Sequence, residues 1–420
     1  MNNSKAKAWP ITKQMVWEAF KAVKRKNGSA GIDEQTIEDF EKDLQNNLYV
    51  LWNRMTSGSY FPPAVKMVEI PKGDGKFRIL GVPTVGDRIA QTVVKQHLEP
   101  KLEPIFHESS YGYRPKRSAH DALGEARKNC WAFNWVLDVD IKGFFDNLDH
   151  DLLMKALSKH SKEKWVLTYV SRWLKAPMQD RGGREYLRDK GSPQGSSVSP
   201  ILANLFLHYT FDKWMEREFP TIKFERYVDD IIIHCRTEQQ AEYLLGIVKE
   251  RMLACRLELH PEKTKIVYCR DSRRKADTAR AVLFTFLGYD FKPRESKSKE
   301  GRIFYSFGAG ISQCAKKEIS TELRSMKLHR RTRTTLEDIA KQINPMLRGW
   351  INYYGKFTKS ALRPLFYNLN ITLLKWVRSR FKTYRSRKLK SLYWLRCQVK
   401  SNPGLFVHWT HGFTPGIAYK

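Results

Sequence analysis

The chain has 420 residues, with 75 Lys plus Arg against 44 Asp plus Glu and a formal net charge of +31. An excess of that size excludes an ordinary small-molecule metabolic enzyme and implies a polyanionic partner. With 41% hydrophobic and 12% aromatic residues the chain can bury a sizeable core, which excludes disorder throughout and suggests roughly two to four structural units.

The charge is unevenly placed. Residues 301–420 hold 24 Lys plus Arg and 4 Asp plus Glu, net +20 of the total +31. No run of about 18 apolar residues offers a membrane span, and the start MNNSKAKAWP lacks the apolar stretch of a secretory signal. A soluble, cytoplasmic protein without a membrane partner is therefore expected. Six cysteines are scattered with no C-x-x-C pair, which indicates neither a disulfide framework nor a zinc site. His408 and His411 in HWTH have helical metal spacing but no Cys or Glu beside them, and read as structural.

In chain order, residues 10–57 read as helices around the turn NGSAGID, with Asp33 placed to cap the helix that carries Ile37 and Phe40. VKMVEIPKGDGKFRIL (65–80) sets a glycine-rich turn between two apolar stretches, a hairpin signal with lysines at its tip. Helical periodicity resumes from about Asp87 to Leu102. NWVLDVDIKGFF reads as a strand and RYVDDIIIHC as a strand pair folded about an Asp-Asp turn. Helices fit 149–175, 198–218 and 237–256, and short strands fit 264–270 and 283–292. RESKSKEGR reads as a polar connector, followed by a helical pattern to the end.

The densest chemical signal is Tyr227-Val228-Asp229-Asp230, adjacent carboxylates set among apolar residues. Burying them is costly without cations. At a hairpin turn they would project to one spot, where Asp140 on a neighbouring strand would complete a cluster of three carboxylates. Such a cluster suits two Mg²⁺ ions about 4 Å apart, the arrangement that serves the attacking and leaving oxygens of phosphoryl transfer. An acidic turn at a sheet end would look the same if this motif stood alone.

It does not stand alone. LDVDIKGFFDNLDH (137–150), KGSPQGSSVSPILANLFL (190–207), EKTK (262–265) and FLGYDF (286–291), together with YVDD, resemble the palm of reverse transcriptases. IPKGDGKFRILGVPTVGDRIAQ (70–91) and SSYGYRPKRSAHDAL (109–123) resemble the fingers of the same enzymes, and PMLRGWINYYGKF (345–357) is similar to the maturase-specific thumb region of group II intron-encoded proteins. The resemblance runs from about Gly28 to Phe357 with every block in the family order.

The resemblance implies an α+β right-hand polymerase: an N-terminal extension (1–60), fingers (61–133), a palm with an antiparallel sheet (134–292), an α-helical thumb or maturase domain (293–400) and a short tail (401–420). It implies RNA-directed DNA synthesis with group II intron splicing assistance as a second role. The partners would be an RNA template, a DNA or RNA primer, deoxynucleoside triphosphates and group II intron RNA. The cofactors would be two Mg²⁺ ions, with Mn²⁺ as a substitute. A repair or defence enzyme outside any intron, and a maturase that only binds RNA, are the alternatives. Val228 stands where many group II intron enzymes have alanine. No C-terminal cysteine-pair endonuclease module is seen, so target cleavage by this chain is not expected.

Residue by residue, the resemblance makes Asp140, Asp229 and Asp230 the metal ligands, with Ile141 beside them, and gives Lys263 (or Lys265) the proton for the pyrophosphate leaving group. Lys72 and Arg78 would close over the triphosphate, and Gln194 would meet the nucleotide sugar and backbone. Phe145, five residues after Asp140, would lie under the ribose and exclude a 2′-hydroxyl, although strand alternation points instead to Phe144. Gly288 lies in the primer-grip block, and Arg114, Lys116 and Arg117 would hold the template backbone. In the basic last quarter cations alternate with aromatic rings, so Arg348, Arg378, Arg380 and Arg385 are candidate RNA contacts.

Overall fold

The computed structural model describes residues 8–72, 76–274, 279–298 and 300–416. The chain forms two compact units, one of residues Met1–Ala122 and Leu137–Lys265, the other of Leu123–Val136 and Ile266–Lys420. The expected palm, 134–292, is thus shared between them.

The first unit opens with helices α1 (Lys13–Lys26), α2 (Ile37–Lys42) and α3 (Leu44–Ser57). Thr12 caps α1, whose Val16, Ala19, Phe20 and Val23 recur at helical spacing and are buried. The cap of α2 is Thr36 rather than the expected Asp33: Thr36 and Asp39 form a reciprocal capping box, while the Asp33 carboxylate accepts from the Gln35 N–H. Strands β1 (Val65–Lys72) and β2 (Lys76–Val82) make the expected hairpin. Its lysine-bearing tip at 73–75, with the side chains of Lys72 and Lys76, lies outside the described residues. Helix α4 (Val85–Leu102) follows; next in the chain, α5 (Ala119–Ala132) falls mostly in the second unit, and strand β3 (Trp135–Asp140) returns to the first from Leu137.

After β3 come α6 (Phe144–Asn147), α7 (His150–His160), α8 (Lys164–Lys175), the short strands β4 (Met178–Gln179) and β5 (Glu185–Tyr186), and α9 (Ser199–Leu207). A single π-helical turn, His208–Asp212, links α9 to α10 (Lys213–Glu218). Strands β6 (Lys223–Tyr227) and β7 (Asp230–Cys235) form a hairpin, and α11 (Glu238–Ala254) packs after it. In the sheet that carries the YVDD motif, β7 lies between β6 and β3. Ile231, Ile232 and Ile233 are fully buried there, so both faces of the strand are covered.

The second unit holds β8 (Lys265–Tyr268) from Ile266 onward, then β9 (Phe284–Phe286), β10 (Tyr289–Lys297) and β11 (Ile303–Ile311). RESKSKEGR is therefore not a connector: β10 and β11 pair antiparallel from Tyr289↔Ile311 out to Lys297↔Ile303. The outer end of β10 is polar and charged while that of β11 exposes Ile303, Phe304 and Tyr305, so neither shows the alternation of a half-buried strand, which hides the hairpin from a hydrophobic-pattern reading. Helices α12 (Gln313–Ser325), α13 (Leu336–Tyr354), α14 (Arg363–Arg380), α15 (Lys388–Ser401) and α16 (Val407–Thr410) complete the unit. Leu336, Ile339, Ile343, Leu347 and Ile351 of α13 meet Leu365, Phe366, Leu369, Leu373 and Trp376 of α14 in one core. His408 is buried in it and shares a hydrogen bond with Asn370 Oδ1 at 2.9 Å; burial pushes its imidazole down to about 3, as suits a structural histidine. The six cysteines are thiols rather than disulfides, and no helix among the described residues is long and apolar enough to cross a membrane.

Candidate active site

The turn between β6 and β7 is Val228–Asp229, closed by the Tyr227↔Asp230 pair, rather than an Asp-Asp turn. Val228 has φ +61° and is 3% exposed. A two-residue hairpin with positive φ at its first central position ordinarily takes glycine there, so a β-branched residue holds strain of about 1–3 kcal/mol. The surroundings over-determine it. Arg226, fully buried, donates from one guanidinium nitrogen to the Val228 carbonyl (3.1 Å) and to Asn204 Oδ1 (3.1 Å). Its other nitrogens bind both carboxylate oxygens of the equally buried Asp212 at 2.6 and 2.7 Å, and Ser110 Oγ at 2.8 Å. The π-helical turn ends on Asp212 and supplies that carboxylate. Gly112 seats the turn from the other side: a Cβ there would lie 2.6 Å from Val228 Cγ2 and 2.8 Å from its backbone nitrogen. Asn204 Nδ2 donates to the Gly112 carbonyl at 2.7 Å and closes the frame.

Asp140, at the end of β3, is held through its backbone. His260 N–H donates to its carbonyl at 2.8 Å, and its own N–H reaches Thr264 Oγ1 at 3.3 Å. That loop carries Lys263, whose Nζ lies 3.3 and 3.4 Å from the two Asp140 carboxylate oxygens. Lys265 instead faces Asp138 at 3.9 Å. Burial raises the Asp138 carboxyl to about 7, with Lys265 opposing the rise and Asp140 adding to it. Burial likewise pushes the Asp229 carboxyl above the usual range; the Asp140 charge adds to the rise, while Arg78 and Lys263 act against it. Asp140, Asp229, Arg78 and Lys263 therefore share one electrostatic neighbourhood.

The expected cluster of three carboxylates is not preassembled. Among the described residues no three carboxyl, imidazole or thiol groups stand together as a metal site. Asp229 lies in the turn and Asp230 begins the strand, and successive side chains on extended backbone diverge. The donor set still fits a hard divalent cation: two mutually repelling carboxylates, one of them largely desolvated, beside the backbone of Ile141, which is buried and bridged to Leu259.

Gln194 sits half-buried on a fixed loop. Gly81 N–H donates to its carbonyl at 2.7 Å, and a Cβ on Gly195 (φ +116°) would lie 2.4 Å from the Gly81 oxygen. Ser196 Oγ and Ser197 N–H both donate to Gln91 Oε1 at 2.8 Å, and Gln91 Nε2 donates to Asp87 at 2.9 Å. Asp87 also accepts from Tyr60 Oη and Trp173 Nε1, each at 2.7 Å. Even so, full burial lifts its carboxyl to about 6.

The paired rings divide. Phe144 is 2% exposed, edge-on to Phe206, and belongs to the core, while Phe145 is half-buried with its carbonyl tied to the Ser192 N–H at 2.7 Å. Arg114, expected on the template backbone, is instead turned into the fold. Its guanidinium is spent on Glu103, the His107 carbonyl and the Ser110 carbonyl at 2.6–2.9 Å. Lys116 and Arg117 are exposed, Arg117 over the Tyr111 ring. Gly288 (φ +76°) follows Leu287 (φ +49°) in the turn between β9 and β10, and Tyr353 Oη donates to the Leu287 carbonyl at 2.9 Å. Arg348 and Arg385 are exposed and Arg378 is half-buried. Arg380 is a fold clamp rather than a free cation, donating to the carbonyls of Thr332 (2.5 Å) and Thr334 (2.9 Å).

Sequence reasoning missed Arg226, Asp212, Asn204, Gly112, Asp87 and Gln91. Charged residues inside apolar segments were the only available signal, since their partners come from distant parts of the chain.

Comparison with known proteins gives this geometry its context. The family described as reverse transcriptase (RNA-dependent DNA polymerase) matches residues 70–291, and the maturase-specific domain of group II introns matches residues 316–394. Protein YkfC of Escherichia coli is 28% identical over 65% of this chain and 78% of its own. The group II intron-encoded protein LtrA of Lactococcus lactis is 26% identical over 86% of this chain and 71% of its own. Among solved structures, telomerase from Candida albicans in complex with a telomeric RNA fragment covers 90% of this chain and 68% of its own, at 14% identity and a TM-score of 0.48. With the polymerase match spanning more than half of its length and the maturase-specific match following it, the chain belongs to the reverse transcriptase family, in its group II intron maturase branch.

Proposed function

We propose that this RNA-directed DNA polymerase extends a DNA or RNA primer with deoxynucleoside triphosphates on an RNA template, using two Mg²⁺ ions with Mn²⁺ as a substitute. The observation that carries this reading is geometric: Asp140, with Lys263 Nζ 3.3 Å from its carboxylate, ends the strand β3 that neighbours β7, and the turn leading into β7 bears Asp229 and is held by buried Arg226. Asp140 and Asp229, with the Ile141 carbonyl beside them and Asp230 one residue on, would hold the ions. Bound there, the ions would stabilise charge on the attacking 3′-oxygen and the leaving pyrophosphate.

The protein's own part follows from its side chains. The primer 3′-hydroxyl gives up its proton to solvent as its oxygen bonds the α-phosphorus, the bond to pyrophosphate breaks, and Lys263 supplies a proton to the departing oxygen. Arg78, beside Asp229, offsets charge on the triphosphate, as would Lys72. The fixed Gln194 loop positions the nucleotide, and the Phe145 ring excludes a 2′-hydroxyl. Gly288 lies at the primer strand, and Lys116 and Arg117 are the remaining template cations of the fingers. Arg348, Arg378 and Arg385 contact group II intron RNA in its splicing role, with the fingers, palm and thumb bounded near residues 61, 134 and 293.

Primer extension on an RNA template tests the site. Asp229→Asn should lower the rate by more than about a hundredfold, since charge placed at a reacting phosphoryl group is worth at least that much. Undiminished extension would exclude these carboxylates from the chemistry. Absence of any cDNA from the unmodified chain would favour the reading in which it only binds intron RNA.

A further inference from the structure

The second unit holds a cavity of about 670 Å³ that uses none of the polymerase residues. Helix α14 contributes Arg363, Tyr367 and Asn370, whose i, i+4, i+7 spacing puts them on one face. Helix α15 contributes Arg396 and Lys400, also one turn apart, and the segment around Phe413 closes a third side.

The walls are fixed. Asn370 Nδ2 donates to the Phe413 carbonyl at 2.9 Å, and its Oδ1 accepts from Trp409 Nε1 at 3.1 Å and meets His408 Nε2 at 2.9 Å. Arg396 Nε donates to the Pro415 carbonyl at 3.2 Å. Among the described residues no acid lines the cavity, and Arg363, Arg396 and Lys400 make no ion pair. Tyr367 is 40% exposed.

We propose that this cavity receives one unpaired nucleotide of a bound RNA strand, its base against Tyr367 and its phosphates among Arg363, Arg396 and Lys400. The inference rests on the reading of the second unit as an RNA-binding module and adds to it a defined subsite. Uncompensated cations in a concave site call for an anion. The volume falls within the roughly 300–1,000 Å³ of small-ligand sites, more than a lone phosphate fills. A tyrosine face beside the cations adds the stacking platform on which proteins hold splayed, unpaired bases.

The test uses the full chain and a short single-stranded oligouridylate carrying one photoreactive thiouridine. Crosslinking should label the peptide that contains Tyr367. Tyr367→Ala should weaken binding about tenfold, the scale of one stacked base, while Tyr367→Phe should retain it. An abasic site at the crosslinked position should cost the unmodified protein the same factor and cost Tyr367→Ala nothing more. Arg363→Gln should lower the slope of log affinity against log salt by about 0.7. Thermal melting of each variant shows that the fold persists. Labelling confined to other peptides, or unchanged affinity in Tyr367→Ala and Arg363→Gln while the unmodified chain binds, would overturn the subsite alone. Failure of the unmodified chain to bind the oligonucleotide would overturn the RNA-binding reading and the subsite with it.

Discussion

In the first unit the deeply placed arginines are consumed by protein: Arg226 by Asp212, Asn204, Ser110 and the Val228 carbonyl, and Arg114 by Glu103 and two backbone carbonyls. In the basic stretch 301–420, which lies in the second unit, 24 Lys plus Arg face 4 Asp plus Glu, and most of those cations have no acid to meet. The same residue type thus does opposite work. Where an arginine such as Arg226 or Arg114 is desolvated its donors go to protein acceptors, and it then shapes backbone; where acids are scarce it stays at the surface and is available to phosphate. Arg380 shows that the division follows contacts rather than location, because it lies in the basic stretch yet clamps Thr332 and Thr334.

The largest expected effect comes from breaking the buried pair. Arg226→Met strands Asp212 and the Val228 carbonyl, and should cost about 3–5 kcal/mol in urea unfolding. Adding Asp212→Leu should recover most of that loss, because a hydrophobic pair of similar volume tolerates the same site. Primer extension should stay low in the double variant, since nothing then holds the Val228 carbonyl. Full recovery of both stability and extension would reduce Arg226 to a packing residue.

Much of the site was legible because its motifs are local. YVDD, LDVD, SPQGSS and EKTK each carry their own turn or strand signal, and the structure brings Asp140, Asp229, Lys263 and Arg78 into one neighbourhood. What stayed hidden is non-local. Ser110 and Asp212 stand 116 and 14 residues from Arg226, and no periodicity links them. The β10–β11 hairpin was hidden for a different reason: its outer register pairs half-buried Ser296 with exposed Phe304 and exposed Lys297 with exposed Ile303, where the alternation that marks a half-buried strand is lost.

Asp87 tests whether a buried acid can be held by the same logic without a cation. Its folded-state carboxyl is raised to about 6 from an ordinary 3.8, so the folded state binds more protons than the unfolded state between those values. Stability should therefore fall as pH rises from about 4 to about 6 and level off above, by at most about 3 kcal/mol. Other carboxylates titrate in the same range, so the readout is the margin of the unmodified chain over Asp87→Asn. That margin should be largest near pH 4 and shrink toward pH 6. A margin that is constant or grows with pH would mean that Asp87 is ionised and stable in its pocket throughout.

A smaller effect sharpens the division at the paired rings. Phe144→Val removes core volume and should cost about 1–3 kcal/mol with no change in sugar discrimination. Phe145→Val should raise incorporation of ribonucleotides relative to deoxynucleotides about tenfold, the scale on which small steric differences are read. Single-nucleotide extension with both nucleotide types in competition measures the ratio. A ratio shifted by Phe144→Val and untouched by Phe145→Val would reverse the roles.

The smallest effect separates the two kinds of arginine within the basic stretch. Arg385 is exposed and has no acidic partner among the described residues, so its contribution to RNA binding should come through released counterions. Each lost phosphate contact lowers the log-log salt slope by about 0.7–0.9, so over a fourfold salt change the penalty of Arg385→Gln should vary by about threefold. Arg380→Gln removes donors from two carbonyls instead, and should lower the melting temperature of the chain with little change in that slope. Binding of a structured RNA across a salt series, with a melt of each variant, gives both quantities. If Arg380→Gln changed the slope and Arg385→Gln did not, contact with backbone carbonyls would not be what withdraws an arginine from RNA, and the contrast between the two units would have to rest on position alone.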